Sequence, residues 1–164
     1  MSVNPFHVIG NLHLMELTVR VAEAEDLPKL IALDAECFPS GNTDLEPAPP
    51  GEIEAGVEEG GIFLAASNAL IIGMLQLDKA SSNEWELLTL AIASSHRGQG
   101  VGKALMDRFL LELDRSPYLV AVSCMTSPNN LAMQGLLESY GFVQVGLMAD
   151  YFGPGKHRLK FQLN

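Results

Sequence analysis

Residues 92–103 read Ile-Ala-Ser-Ser-His-Arg-Gly-Gln-Gly-Val-Gly-Lys. Glycines at alternate positions, Gly98, Gly100 and Gly102, let successive backbone N–H groups turn toward one point without side-chain obstruction. A helix starting there adds its positive N-terminal end, and the two together make a cradle for a phosphate or pyrophosphate. Arg97, Lys103 and Arg108 against Asp107 give residues 96–108 a local charge of +2. Two nucleotide loops fail on spacing. A P-loop ending at Gly102-Lys103 needs glycine where Arg97 stands and a hydroxyl where Ala104 stands. A dinucleotide fingerprint needs glycine at Lys103 or Leu105 and belongs after a first strand. The plain alternative is a glycine-rich strand-to-helix turn with no ligand.

The elements that must hold this turn show in the apolar periodicity. Residues 17–21 alternate as a half-buried strand. Residues 23–38 read as a helix, with Pro28 in its first turn, Leu30, Ile31, Leu33 and Cys37 as its apolar positions, and Pro39 as its stop. A proline-rich loop and a weak acidic helix to about residue 59 follow. Strands are expected at 62–66, 70–77 and 85–92, a helix at 100–115, a strand at 118–125, a helix at 129–140 closed by Gly141, and final strands at 142–148 and 158–163. The order is β-α-α-β-β-β-α-β-α-β-β, an α/β domain around one sheet. Residues 1–15, with Pro5, His7, Gly10 and His13, read as an irregular N-terminal extension, and residues 16–164 as a single domain.

Composition narrows the class. Of 164 residues 48% are hydrophobic and 18% charged, which excludes a disordered chain. No apolar run reaches the roughly 18–20 residues of a membrane span. The first ten residues lack a secretory pattern. Two cysteines, Cys37 and Cys124, are too few for a disulfide framework or a cysteine-based zinc site. The expectation is a cytoplasmic domain with no metal. Residues 16–60 hold twelve acids against Arg20 and Lys29, and so carry the whole net charge of −10. Such a field repels nucleic acid and favours cationic ligands; a solvated surface kept for solubility is the other reading.

Arg97-x-x-Gly100-x-Gly102 resembles the pyrophosphate loop, [RQ]-x-x-G-x-[GA], of the GNAT N-acetyltransferase superfamily. The resemblance covers about residues 17–163. Residues 17–20 with Glu25-Asp26-Leu27-Pro28 look like the family's first strand and helix, Gly73 falls in its third strand, and Gly141-Phe142 closes its fourth helix. It implies a central mixed, mostly antiparallel sheet of about six to seven strands with about four helices. It also implies acetyl-CoA as donor, with its pyrophosphate at Arg97, Gly98, Gln99, Gly100, Val101, Gly102 and Lys103. The pantetheine arm would lie along Leu90, Ala91 and Ile92. The implied reaction is direct attack by a primary amine in a ternary complex.

An ammonium is not a nucleophile, so a base is needed, and Glu84 and Glu86 are the candidates. Strand alternation puts both on one face with Leu88 and Leu90. Glu86 lies six residues before Ile92, the spacing of the catalytic glutamate in histone-acetylating members. Solvent-facing strand-end residues are the alternative. In the family pattern N-x-x-A-x-x-L-Y-x-x-x-G-F, Asn130 takes the asparagine slot, Met133 the alanine slot and Leu137 the slot of the tyrosine acid. Tyr140, one helical turn on, and Tyr151 are the remaining phenolic donors, or packing residues. Cys124, a strand thiol with no histidine near it in sequence, is not read as a nucleophile. Residues 23–59 and 150–156 would border the acceptor cleft. Acid and aromatic groups there suit a small cationic amine or a peptide N-terminus, and the Tyr151-Phe152 pair looks somewhat like the ribosomal-protein alanine acetyltransferases. No nucleic-acid or membrane partner is expected, and a homodimer is allowed for. The second reading is a non-catalytic acetyl-CoA-binding sensor or interaction module, supported by Leu137.

Overall fold

A computed structural model of the chain describes residues 6–8, 15–41, 44–79, 81, 83–118 and 121–164. Its strands are β1 (Phe6–Val8), β2 (Met15–Val21), β3 (Ile62–Ser67), β4 (Leu70–Asp78), β5 (Glu84–Ile92), β6 (Ala121–Thr126), β7 (Val143–Met148) and β8 (Arg158–Leu163). Its helices are α1 (Leu27–Cys37), α2 (Glu52–Glu58), α3 (Val101–Asp114) and α4 (Leu131–Ser139). The strands form one sheet in the order β1-β2-β3-β4-β5-β6-β8-β7. Every neighbouring pair is antiparallel except β5 and β6, which run parallel.

The mixed, mostly antiparallel sheet with four helices agrees with the expectation. Within the stretch read as irregular, Phe6–Val8 adds a short edge strand against Met15–Leu17. Pro5, Gly10 and His13 of that stretch, and Leu119 and Val120 at the expected start of β6, lie outside the described residues.

Local chemistry explains the main elements. Glu23 and Asp26 cap a short 3-10 turn reciprocally before α1, and Arg20 grips the Asp26 carboxylate at 2.7 and 2.9 Å. Pro28 sits in the first turn of α1, where its missing N–H is no loss. Gly141, at φ +84°, ends α4 in the left-handed conformation that glycine adopts without a Cβ clash.

Helices cover both faces of the sheet. On one face, the carbonyl of Glu52 in α2 accepts from Gln76 Nε2 of β4 at 3.1 Å. On the other, α3 packs on Gly73, where an added Cβ would stand 3.0 Å from Ile92 and Val101. Val101, Leu105, Met106 and Phe109 turn inward along α3, and Phe142 packs on Phe109. Each fully buried Leu or Phe contributes roughly 2 kcal/mol. Ile31, expected on the apolar side of α1, is half exposed; Leu30, Leu33 and Cys37 carry that side. No helix among the described residues is long and apolar enough to cross a membrane.

Candidate active site

Two irregularities of β5 create the site. Its pairing with β6 extends only from Glu84–Ala121 to Leu87–Cys124. Beyond that point the parallel strands part, and the backbone of residues 88–92 borders an opening. The second irregularity is a bulge. Gln76 pairs with Thr89 while the next residue, Leu77, pairs with Leu87, so Leu88 has no partner on β4.

The bulge corrects one sequence expectation. It reverses the alternation at Leu88, so Glu86 shares a face with Thr89 and Ala91, while Leu90 joins Trp85, Leu87 and Ile92 on the α3 side. The contacts agree: Leu90 reaches toward Gly102, and Ile92 toward Gly73. Leu90 therefore does not share the face of Glu86.

The outer chamber, of about 980 Å³, lies between the glycine-rich turn, the end of β5 and the start of α4. Gly98 and Gly100 both adopt positive φ, +71° and +86°, and Gly100 precedes α3. The first backbone bond of the helix runs from Ala104 N–H to Gly100 C=O. The N–H groups of Val101, Gly102 and Lys103 thus have no backbone acceptor among the described residues. They are the orphan donors of a helix N-terminus, which an anion satisfies. Arg97, Gly98, Gly100, Val101, Gly102 and Lys103 all line this chamber. Gln99 does not; its side chain turns back to the Ser95 carbonyl at 3.0 Å. Glu36 braces the turn, accepting from the Ser94 N–H at 3.0 Å and hydroxyl at 3.1 Å, and these bonds hold its carboxyl below the usual range.

Leu90, Ala91 and Ile92 form the wall of the same chamber. The carbonyl of Ile92 turns away from β4 and accepts from Cys37 Sγ at 3.3 Å and Arg97 Nε at 3.1 Å. By strand alternation the N–H and C=O of Leu90 point the same way, toward the opening. Asn130 caps α4, accepting from the Met133 N–H at 3.1 Å, and lines the chamber beside Met133.

The inner chamber, of about 510 Å³, joins the outer one along Leu90, Asn130 and Met133. Glu86 lines it, together with Asp34, Glu52 and Thr89. Burial, then the nearby charge of Asp78, raises the Glu86 carboxyl above its ordinary range, while Lys160 opposes the shift. Glu84 stands exposed at the start of β5 and borders neither chamber. The sequence reading placed the acidic residues 23–59 at the acceptor cleft without singling out Asp34 or Glu52. Asp34 sits among Leu30, Leu33 and Cys37, the buried positions of α1, and an acid in an apolar stripe was the available signal.

Tyr151 and Phe152 close the inner chamber from the turn between β7 and β8. Lys156 of this turn reaches Glu46 of the α1–α2 loop at 2.6 Å. Arg158 donates to the Asp44 carbonyl and stacks on Phe152, 4.7 Å from its ring centre.

Tyr140 borders neither chamber. Its hydroxyl lies 2.7 Å from Asp107 Oδ1 and 3.0 Å from the Lys103 carbonyl, and burial together with Asp107 raises its pKa. A phenol so held is a tie between α4 and α3, not a proton donor to the chambers. Leu137 is fully buried and does not face the opening; Met133 and Leu136 present the α4 surface there. Cys124 is almost fully buried, and burial pushes its thiol up to about 12, which leaves it inert. Among the described residues, no three His, Cys, Asp or Glu side chains are grouped to hold a metal ion.

Residues 15–142 match the sequence profile of the acetyltransferase (GNAT) family. A phosphinothricin N-acetyltransferase of Alcaligenes faecalis is 28% identical over 142 residues, 80% of this chain and 72% of its own. Arabidopsis thaliana Naa50, solved with the bisubstrate analogue CoA-Ac-MVNAL, superposes with a TM-score of 0.77 at 17% identity, covering 90% of this chain and 98% of that one. The ribosomal-protein-S18-alanine N-acetyltransferase of Escherichia coli gives 0.76 at 19% identity, covering 90% and 92%.

Proposed function

Because the chain belongs to the acetyltransferase (GNAT) family, we propose that it transfers an acetyl group from acetyl-CoA to a primary amine by direct attack in a ternary complex. The observation that carries this reading is the junction at Leu90 of an anion-cradling chamber with one lined by Glu86, whose pKa is raised. One chamber has the free amides a pyrophosphate needs, and the other has a base.

The chain's own residues divide the work. The N–H groups of Val101, Gly102 and Lys103 receive the pyrophosphate, and Gly98 and Gly100 keep the approach open. Arg97 exchanges the Ile92 carbonyl for a phosphate oxygen, which frees that carbonyl. The outward N–H and C=O of Leu90 pair with an amide of the pantetheine arm. Bound acetyl-CoA supplies an acyl thioester: the nitrogen bonds to its carbonyl carbon as the carbon–sulfur bond breaks and the thiolate leaves. Glu86, directly or through water, takes the proton the nitrogen must shed. Backbone N–H groups in the parted stretch of β5 are the donors for the carbonyl oxygen. A thiol near pKa ~8.5 leaves without a strong acid, so solvent or Tyr151 returns its proton.

For the acceptor, the named relatives point to amines of two kinds. One is named for a small molecule, and two are named for, or solved with, peptide or protein amines. Leu137 in the tyrosine slot and the Tyr140–Asp107 tie favour a second reading, a domain that binds acetyl-CoA without turnover. Thiol release measured over a panel of amines, beside calorimetric titration of acetyl-CoA, tests both. Turnover with any amine supports transfer; tight binding of acetyl-CoA with no release from any amine supports the sensor.

A further inference from the structure

The inner chamber carries more acid than one base requires. Asp34 is 3% exposed. Its Oδ2 accepts from the Ala48 N–H at 2.8 Å, while its Oδ1 is buried with no hydrogen-bond partner. An orphan carboxylate oxygen in such a place is costly unless a donor reaches it. Glu52 stands on the same wall. Burial raises its carboxyl first, and the charges of Asp34, Asp78 and Glu86 raise it further. Among the described residues neither Asp34, Glu52 nor Glu86 has an ion-pair partner; only Lys160, at longer range, eases Glu86.

The other charges of the wall are occupied. Glu46 is paired with Lys156. The Arg158 guanidinium donates to the carbonyls of Asp44 and His157 and lies on Phe152. The carboxyls are not arranged for a metal ion. Between them the wall is apolar, with Phe38, Pro47, Pro49 and Met133, a surface for methylene groups. A volume near 510 Å³ suits a small molecule.

We propose that this chamber selects a small acceptor with two cationic nitrogens on an aliphatic chain. Asp34 and Glu52 hold the nitrogen that is not acetylated, while Glu86 faces the one that is. The Glu86 end rests on the acetyl-transfer reading; the Asp34–Glu52 end does not. A carboxylate on the acceptor would meet the chamber's excess of acid over Arg158, so amino acids should bind more weakly than diamines.

Calorimetric titration of the full chain without acetyl-CoA separates the two ends. The probes are 1,4-diaminobutane, 1-aminobutane and 4-aminobutanoate. The diamine should bind roughly tenfold or more tightly than the monoamine, as a second charged hydrogen bond warrants, and the amino acid should bind more weakly than the diamine. Glu52→Gln, whose parent side chain makes no hydrogen bond among the described residues, should bring the diamine close to the monoamine. Asp34→Asn, if it folds, should do the same. Equal affinity for diamine and monoamine in the unaltered protein overturns the proposal, as does a diamine preference that survives Glu52→Gln. Selective diamine binding without thiol release when acetyl-CoA is added would uphold the chamber's selectivity and sink the transfer reading alone.

Discussion

Tyr140 holds Asp107 across 2.7 Å, a hydrogen bond from the end of α4 to the middle of α3. The tyrosine that the family's motif led one to seek near a thiol is thereby committed to joining two helices. Tyr140→Phe should cost about 1 kcal/mol of stability in urea denaturation, the ordinary worth of such a bond. Turnover should fall by less than about tenfold. A thousandfold loss with unchanged stability would return the hydroxyl to the chemistry.

Glu86→Gln tests the base. Turnover should drop by roughly 10²–10⁴. The loss should be greatest near about pH 6–7 and narrow toward about pH 9, where the acceptor is increasingly neutral unaided. Acetyl-CoA affinity should not change. Stability has the opposite sign. The folded pKa of Glu86 is raised by burial and Asp78 against Lys160, so its ionisation opposes folding, and the penalty grows as pH rises through that value. The variant should thus be as stable as the parent, or more so, at about pH 8. Flat activity across this range would remove Glu86 from the reaction.

Gly100→Asp places a carboxylate and a Cβ at φ +86° beside the free amides of α3. The acid would compete for the N–H groups that a pyrophosphate needs, so acetyl-CoA affinity should fall by at least roughly tenfold. Circular dichroism should show the fold intact. Unchanged affinity would move the anion site elsewhere.

Gly73→Ala acts from beneath. The new methyl would meet Ile92 and Val101 at 3.0 Å and Leu105 at 3.1 Å, and Val101 is the first residue of α3. Crowding should cost about 1–3 kcal/mol. It should also weaken acetyl-CoA binding by displacing the helix start. Gly135→Ala, with open space around it, is the control that should do neither.

The strand-turn-helix around Gly98 and Gly100 was legible because its backbone demands glycine at particular positions. The strands and helices were legible because burial imposes period. The bulge was not. Residues 87–92 are apolar or small throughout, so an inserted residue leaves no mark on the pattern, and the face of Leu90 could be known only from pairing. Nor could the spacing bring Asp34 and Glu52 to the strand bearing Glu86; their convergence belongs to the packing of α1 and α2 on the sheet. The burial of Leu137 against the core likewise needed the fold.

The bridge between Lys156 and Glu46, 110 residues apart in sequence, has a kinetic consequence. It fastens the β7–β8 turn to the α1–α2 loop, with Glu46 on the wall of the inner chamber, and both partners meet solvent. Salt screens such a pair. As ionic strength loosens the bridge, an inner-chamber ligand should both enter and leave faster. Lys156→Ala should remove the bridge's share of that dependence, leaving the screening of the ligand's own charge, and should raise association and dissociation rates of an inner-chamber ligand together. Stopped-flow measurement at low and high salt reads the difference directly.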